Sequence, residues 1–158
     1  MNLGKVSVVI AAHNEGENLV DMVRCILQNT TYPDFEVVVV DDGSSDDSSD
    51  RGVSLFSGDD RVSVVRTKGL GVAGARNFGA QEATGETFVF MDGHCYTPPG
   101  WLTALTTPLA DSQVGMVGPS FADLHHGDGA RGLGATWRDA SLEMVWLPQM
   151  SDVPYPVP

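Results

Sequence analysis

Short runs of β-branched apolar residues alternate with longer stretches in which apolar positions recur every three or four residues, and this alternation organises the first two thirds of the chain. Lys5 to Ala12 (KVSVVIAA) predicts a strand, and Glu15 to Asn29 predicts a helix with Leu19, Met22, Val23, Ile26 and Leu27 on one face. Phe35 to Val40 (FEVVVV) is apolar at nearly every position, as a central parallel strand must be, and Asp41 to Ser45 (DDGSS) closes it with turn and cap residues. A second helix is expected to begin near Ser45. Val62 to Arg66 predicts a third strand, Val72 to Thr84 an Ala-rich helix, Thr87 to Met91 a fourth strand, Trp101 to Ala110 a helix and Val114 to Val117 a strand. From Ala122 onward Gly, Asp, His and Pro interrupt the pattern, and only Trp137 to Leu147 stays rich in apolar residues. The expectation is one domain over 1–158, with a core in 1–120 and a loop or lid in 121–158.

Strands that alternate with helices predict right-handed crossovers, hence an α/β fold with a mainly parallel central sheet and helices on both faces. Ligands of such sheets sit at the carboxyl ends of the strands. Polar residues crowd those ends here: His13, Asn14 and Glu15 after the first strand, Asp41 and Asp42 after the second, Asp92 and His94 after the fourth.

Charge narrows the choice of ligand. The chain carries 21 acidic and 9 basic residues, a formal net charge of −12, and has no cluster of Lys and Arg, which argues against nucleic acid or an anionic membrane surface as a partner. An acidic excess keeps a protein soluble, and it also suits a site that recruits a divalent cation. No apolar run reaches the roughly 18 to 20 residues that span a bilayer, and the first residues lack the charge and cleavage pattern of a signal peptide, so the chain reads as cytoplasmic, with peripheral membrane association left open. Cys25 and Cys95 are too few for a disulfide framework and receive no catalytic role.

Asp92 and His94 (DGH) follow an apolar strand two residues apart, so in extended geometry both side chains would point the same way and chelate one cation. Gly93 between them would leave room for a phosphate. A cation there would neutralise a diphosphate leaving group, and the imidazole favours Mn²⁺ over Mg²⁺. Asp42 sits where a carboxylate could accept hydrogen bonds from a base imide or a ribose hydroxyl, while Asp41 holds the turn. Lys68 and Arg76 are the basic groups nearest the crevice in sequence; each could face a diphosphate or serve as an ordinary surface charge. The glycines at 69, 71, 74 and 79 follow neither a dinucleotide fingerprint nor a P-loop, which argues against an oxidoreductase. His125 and His126 read as exposed loop residues.

The segments VVIAAHNE, VVVDDGSSDD, GARNFGAQEATGE and FVFMDGH occur in the order and spacing of the family-two glycosyltransferases, and the chain resembles that family from about Lys5 to Trp101. His13 and His94 stand where many members have Tyr and Asp; in both respects, and in the Trp101–Leu102 pair, the chain is similar to the polypeptide N-acetylgalactosaminyltransferases. The resemblance implies a nucleotide-diphospho-sugar (GT-A) fold, Asp92 and His94 as metal ligands, and His13 and Asp42 as nucleoside contacts. It also implies a glycine-rich donor and acceptor loop after Pro158, with a third metal ligand or a catalytic acid, so a member of this length would be incomplete at its C-terminus.

These readings converge on an enzyme that transfers a sugar from a UDP-sugar, with Mn²⁺ or Mg²⁺ at Asp92 and His94, and with Ala11, His13, Glu15, Asp42, Lys68, Arg76 and Gly93 as candidate nucleotide contacts. The acceptor, whether glycan, lipid or protein, is left open, as is self-association. The alternative is a module that keeps affinity for the nucleotide sugar but lacks chemistry. A nucleotidyltransferase would need a Gly-rich basic loop after the first strand, where this chain has AAHNEGE.

Overall fold

In the computed structural model, the described residues are 4–119 together with the backbone of four short strands at 121–122, 131–132, 135–137 and 144–146. The loop or lid expected over 121–158 lies mostly outside them, as do His125, His126 and most of the stretch around Trp137 to Leu147.

The chain divides into two compact units, residues 1–104 and 105–158. The first contains β1 (Val6–Ala12), α1 (Glu17–Asn29), β2 (Phe35–Asp41), α2 (Ser48–Phe56), β3 (Val62–Arg66), α3 (Gly71–Glu82) and β4 (Thr87–Asp92). It forms a four-stranded sheet of order β3-β2-β1-β4, parallel throughout. The sheet builds outward from β1 through β2 to β3, and α3 then carries the chain back across to place β4 on the other side of β1. α1 and α2 touch each other and α3 packs against β1 and β2. The right-handed rule for parallel crossovers assigns α1 and α2 to one face and α3, where the chain reverses direction across the sheet, to the other.

The register explains the burial. Val9, Val38 and Val40 point to the α3 side and pack with Ala75 of that helix, with Ala11, Val65 and Phe78 at the margin. Val8, Ile10, Val37 and Val39 alternate to the other face and are as fully buried, and α1 buries a stripe of its own formed by Leu19, Met22, Val23 and Ile26. Burial on both faces is why these strands read as unbroken apolar runs. At the amino-terminal foot of the sheet, Glu36 accepts hydrogen bonds from Ser7 Oγ (2.6 Å), Lys5 Nζ (2.9 Å) and the Thr84 backbone N–H (2.6 Å). Burial pushes its pKa up, but these donors outweigh it and hold the carboxyl at about 2.

Trp101–Thr106 forms α4, and a 3-10 turn follows at Thr107–Ala110. The single helix expected over 101–110 is thus split, because Pro108 has no N–H to donate and crowds the preceding turn. The strand expected at Val114 to Val117 does not form: it pairs with no strand among the described residues, and Met116 is 89% exposed. The second unit also holds two antiparallel strand pairs, Phe121–Ala122 with Arg131–Gly132 and Ala135–Trp137 with Met144–Trp146. No helix of the described residues is long and apolar enough to cross a membrane.

Candidate functional site

A crevice of about 300 Å³ opens over the carboxyl ends of β1, β2 and β4. Ala11, Ala12, His13 and Glu15 line it from the first strand and its loop, Asp42 from the end of the second, Asp92 and His94 from the fourth, and Val72 and Ala75 from α3. Parallel strands deliver these residues together because every strand ends on the same rim. Among the candidate contacts, Lys68 is not part of the walls, and Arg76 and Gly93 meet the site through other residues.

The loop after β1 is tied to the loop after β2 by hydrogen bonds. His13 Nδ1 lies 3.0 Å from the Asp42 carbonyl oxygen and Nε2 lies 3.1 Å from Asn14 Nδ2, a pair of contacts that suits the imidazole with its proton on Nδ1. Asn14 has φ 55, in the left-handed region that Asn tolerates better than most residues. In that pose its backbone N–H donates to Ser44 Oγ (2.9 Å) and its Oδ1 accepts from the Ser45 N–H (2.7 Å) and the Asp46 N–H (3.3 Å). Asp46 Oδ2 in turn accepts from the Gly16 N–H at 3.0 Å. Asn14 thus positions the crevice without lining it. An Asn two residues past the end of an apolar strand was the available signal.

Asp41 and Asp42 part ways. Asp41 is 5% exposed and accepts from the Ser44 N–H (2.9 Å) and the Ser49 hydroxyl; burial raises its pKa, and these donors together with the Arg66 charge bring it below the usual carboxylate range. Asp42 faces the crevice, yet its Oδ1 accepts from Thr67 Oγ1 and from the backbone N–H groups of Gly69 (3.1 Å) and Leu70 (2.6 Å), and its Oδ2 from that of Gly71 (2.7 Å). The Thr67 hydroxyl is the largest cause of a pKa below the usual value, followed by the Leu70 N–H. Gly69 and Gly71 have φ of 82 and 73, which lets three successive N–H groups converge on one carboxylate at the start of α3. The glycine-rich segment therefore does cradle an anion, one that belongs to the protein.

At the end of β4 the chain does not stay extended. Asp92 is the last strand residue and Gly93–His94 form a turn, so the two side chains reach the crevice by a bend and not by the alternation of a strand. Asp92 Oδ1 accepts from Arg76 at 2.6 Å. His94 Nδ1 lies 3.3 Å from Glu15 Oε2. Asp92 Oδ2 and His94 Nε2 have no hydrogen-bond partner among the described residues, and no third His, Cys, Asp or Glu there completes a metal-binding group with them. Gly93, expected to leave room for a phosphate, has that room filled by Glu15: a Cβ added to it would lie 2.7 Å from Glu15 Cγ.

Trp101 and Leu102 have structural contacts. Trp101 Nε1 donates to Thr30 Oγ1 at 2.9 Å, which fastens the segment after β4 to the end of α1, and Leu102 is fully buried. Cys25 Sγ sits 3.4 Å from the Thr97 carbonyl oxygen in the same region, and burial pushes the Cys95 thiol up.

Comparison with known proteins agrees with this architecture. The Glycosyl transferase family 2 profile matches residues 7–141. The chain is 34% identical over 132 residues to N-acetylgalactosaminyltransferase 7 of Drosophila melanogaster, covering 79% of this chain and 22% of that protein. It is 37% identical over 131 residues to Polypeptide N-acetylgalactosaminyltransferase 3 of Taeniopygia guttata, covering 77% of this chain and 20% of that one. It thus spans about a fifth of the length of these relatives. Among solved structures, S. aureus TarS 1-349 in complex with UDP-GlcNAc superposes with a TM-score of 0.60 at 26% identity, over 69% of this chain and 32% of that one. With its parallel sheet, its crevice at the strand ends and this profile, the chain belongs to glycosyl transferase family 2 and has the GT-A type of fold.

Proposed function

We propose that this chain forms the donor-binding part of a glycosyltransferase that takes a UDP-sugar together with a divalent metal ion, Mn²⁺ before Mg²⁺. The observation that carries this reading is the convergence of Asp92, His94, Glu15, His13 and Asp42 on one crevice at the strand ends. The nucleotide comes from TarS, whose structures include complexes with UDP-GlcNAc and with UDP, and N-acetylhexosamine as the sugar comes from the names of the animal relatives.

The residues fit a metal by their chemistry. Among the described residues, Asp92 has a carboxylate oxygen and His94 an imidazole nitrogen without a hydrogen-bond partner, and this mixed set would hold Mn²⁺. When bound, such an ion supplies Lewis-acid stabilisation of the departing diphosphate. The protein's own part is to place charge. The walls carry Glu15, Asp42 and Asp92, so a diphosphate entering the crevice meets mainly like charge unless a cation accompanies it. Arg76, paired with Asp92, stands where it could turn to the diphosphate once Asp92 is engaged by a cation. His13, locked by Asp42 and Asn14, presents a fixed edge beside the nucleoside.

Calorimetric titration with UDP tests this. UDP is expected to bind at least tenfold more tightly with Mn²⁺ than with EDTA, and His94→Ala is expected to remove most of that difference. Equal affinity in both conditions would overturn the metal-bridged reading.

A further inference from the structure

We infer that Glu15 is a positioning residue whose carboxylate orients His94, and that residue 93 is glycine in order to let it do so. The inference rests on the reading of His94 as a metal ligand and deepens it.

Three observations meet at one point. First, both carboxylate oxygens of Glu15 lie within 3.4 Å of His94 Nδ1, and none of the imidazole's hydrogen bonds among the described residues involves Nε2. An acceptor at Nδ1 selects the tautomer with the proton on Nδ1, which leaves the Nε2 lone pair free, and metal-binding histidines are commonly held this way by a carboxylate on their other nitrogen. Second, the Glu15 side chain is 19% exposed while that of His94 is 60% exposed. The carboxylate is the better-fixed partner, and an imidazole with this much freedom needs one. Third, Gly93 is not in the left-handed region, so no backbone requirement calls for glycine. The requirement is space: a Cβ at 93 would lie 2.7 Å from Glu15 Cγ and 2.9 Å from its Cδ. Glu15 crosses over residue 93 to reach residue 94, and any side chain at 93 would push it away. Glu15 thus acts on the ligand and not on the nucleotide directly.

The test uses the full chain and two readouts. With ¹⁵N-labelled histidine at about pH 8, where imidazole is neutral, the His94 nitrogen shifts report its tautomer without any metal. Wild type is expected to show the proton on Nδ1, Glu15→Gln to retain it because the amide oxygen still accepts, and Glu15→Ala and Gly93→Ala to lose it. Mn²⁺ affinity in the presence of UDP is then expected to fall about 10- to 100-fold in Glu15→Ala and Gly93→Ala, and only a few-fold in Glu15→Gln. An unchanged His94 tautomer in Glu15→Ala overturns the positioning role, even if Mn²⁺ affinity falls, since Glu15 would then act as a ligand. Failure of His94→Ala to weaken Mn²⁺ binding overturns the metal reading itself, and the tautomer measurement stands apart from that outcome.

Discussion

Asp42 shows how one carboxylate can serve the fold and the crevice together. Both of its oxygens are engaged by the segment 67–71, yet it lines the crevice, so a nucleoside contact would have to use what remains of Oδ2. Removing it strips the partners from three converging N–H groups at the head of α3. Asp42→Ala is therefore expected to lower stability by about 1 to 3 kcal/mol, seen as a lower urea midpoint, in addition to any loss of nucleotide affinity. An unchanged midpoint would mean that water replaces the carboxylate at no cost. The residues at the strand ends were legible because chemistry-bearing side chains directly follow apolar runs. Their partners were not: that Gly93 yields to Glu15, or that Asn14 spans to Ser45, depends on contacts across the strand ends that no local pattern carries.

At the scale of elements, β1 to β4 and α1 to α3 follow the sequence pattern closely; β1, β2 and α1 do so because they are buried and burial leaves a periodic trace, whereas β4 is apolar in sequence with Phe88 and Phe90 41% and 47% exposed. Boundaries moved where side chains were otherwise committed. α2 starts at Ser48 and not near Ser45, since Ser44, Ser45 and Asp46 are bound to the loop after β1. Pro108 ended α4 early, and Val114 to Val117, apolar enough for a strand, pairs with no edge among the described residues. The seating of α3 was least visible. A Cβ at Gly79 would lie 2.4 Å from Val9 Cγ1 and 2.8 Å from Val40 Cγ2, so the glycine sets how closely the helix meets β1 and β2. Gly79→Ala gains helix propensity of about 1 kcal/mol but overpacks this contact at a cost of about 1 to 3 kcal/mol. The net expectation is destabilisation in urea unfolding; a stabilised variant would show that α3 can lift without loss.

For the sheet as a whole, the two ends differ in character: the carboxyl ends carry the acidic crevice, while the foot holds the closed network around Glu36. Glu36 has a folded pKa of about 2 against 4.5 for the free group, so its contribution is present above the unfolded value and is lost as pH falls from about 4.5 toward 2. A shift of this size corresponds to roughly 3 kcal/mol, and its side chain is 15% exposed, so screening takes little of it. Glu36→Gln is expected to lose about 1 to 3 kcal/mol at neutral pH and to flatten the fall in stability between about pH 5 and pH 2, measured as urea midpoints across that range. The same slope in both proteins would place the acid sensitivity elsewhere, with Asp41 and Asp42 the next groups to test. The order β3-β2-β1-β4 has one more consequence, for the order of events in time. β1 can pair with β2 as soon as α1 has formed, but its other edge waits for a partner roughly 80 residues downstream. A nascent chain must therefore carry the most apolar strand of the protein half-zipped until β4 emerges, and the interval in which a ribosome-bound chaperone would matter most is the one during which α2, β3 and α3 are being made.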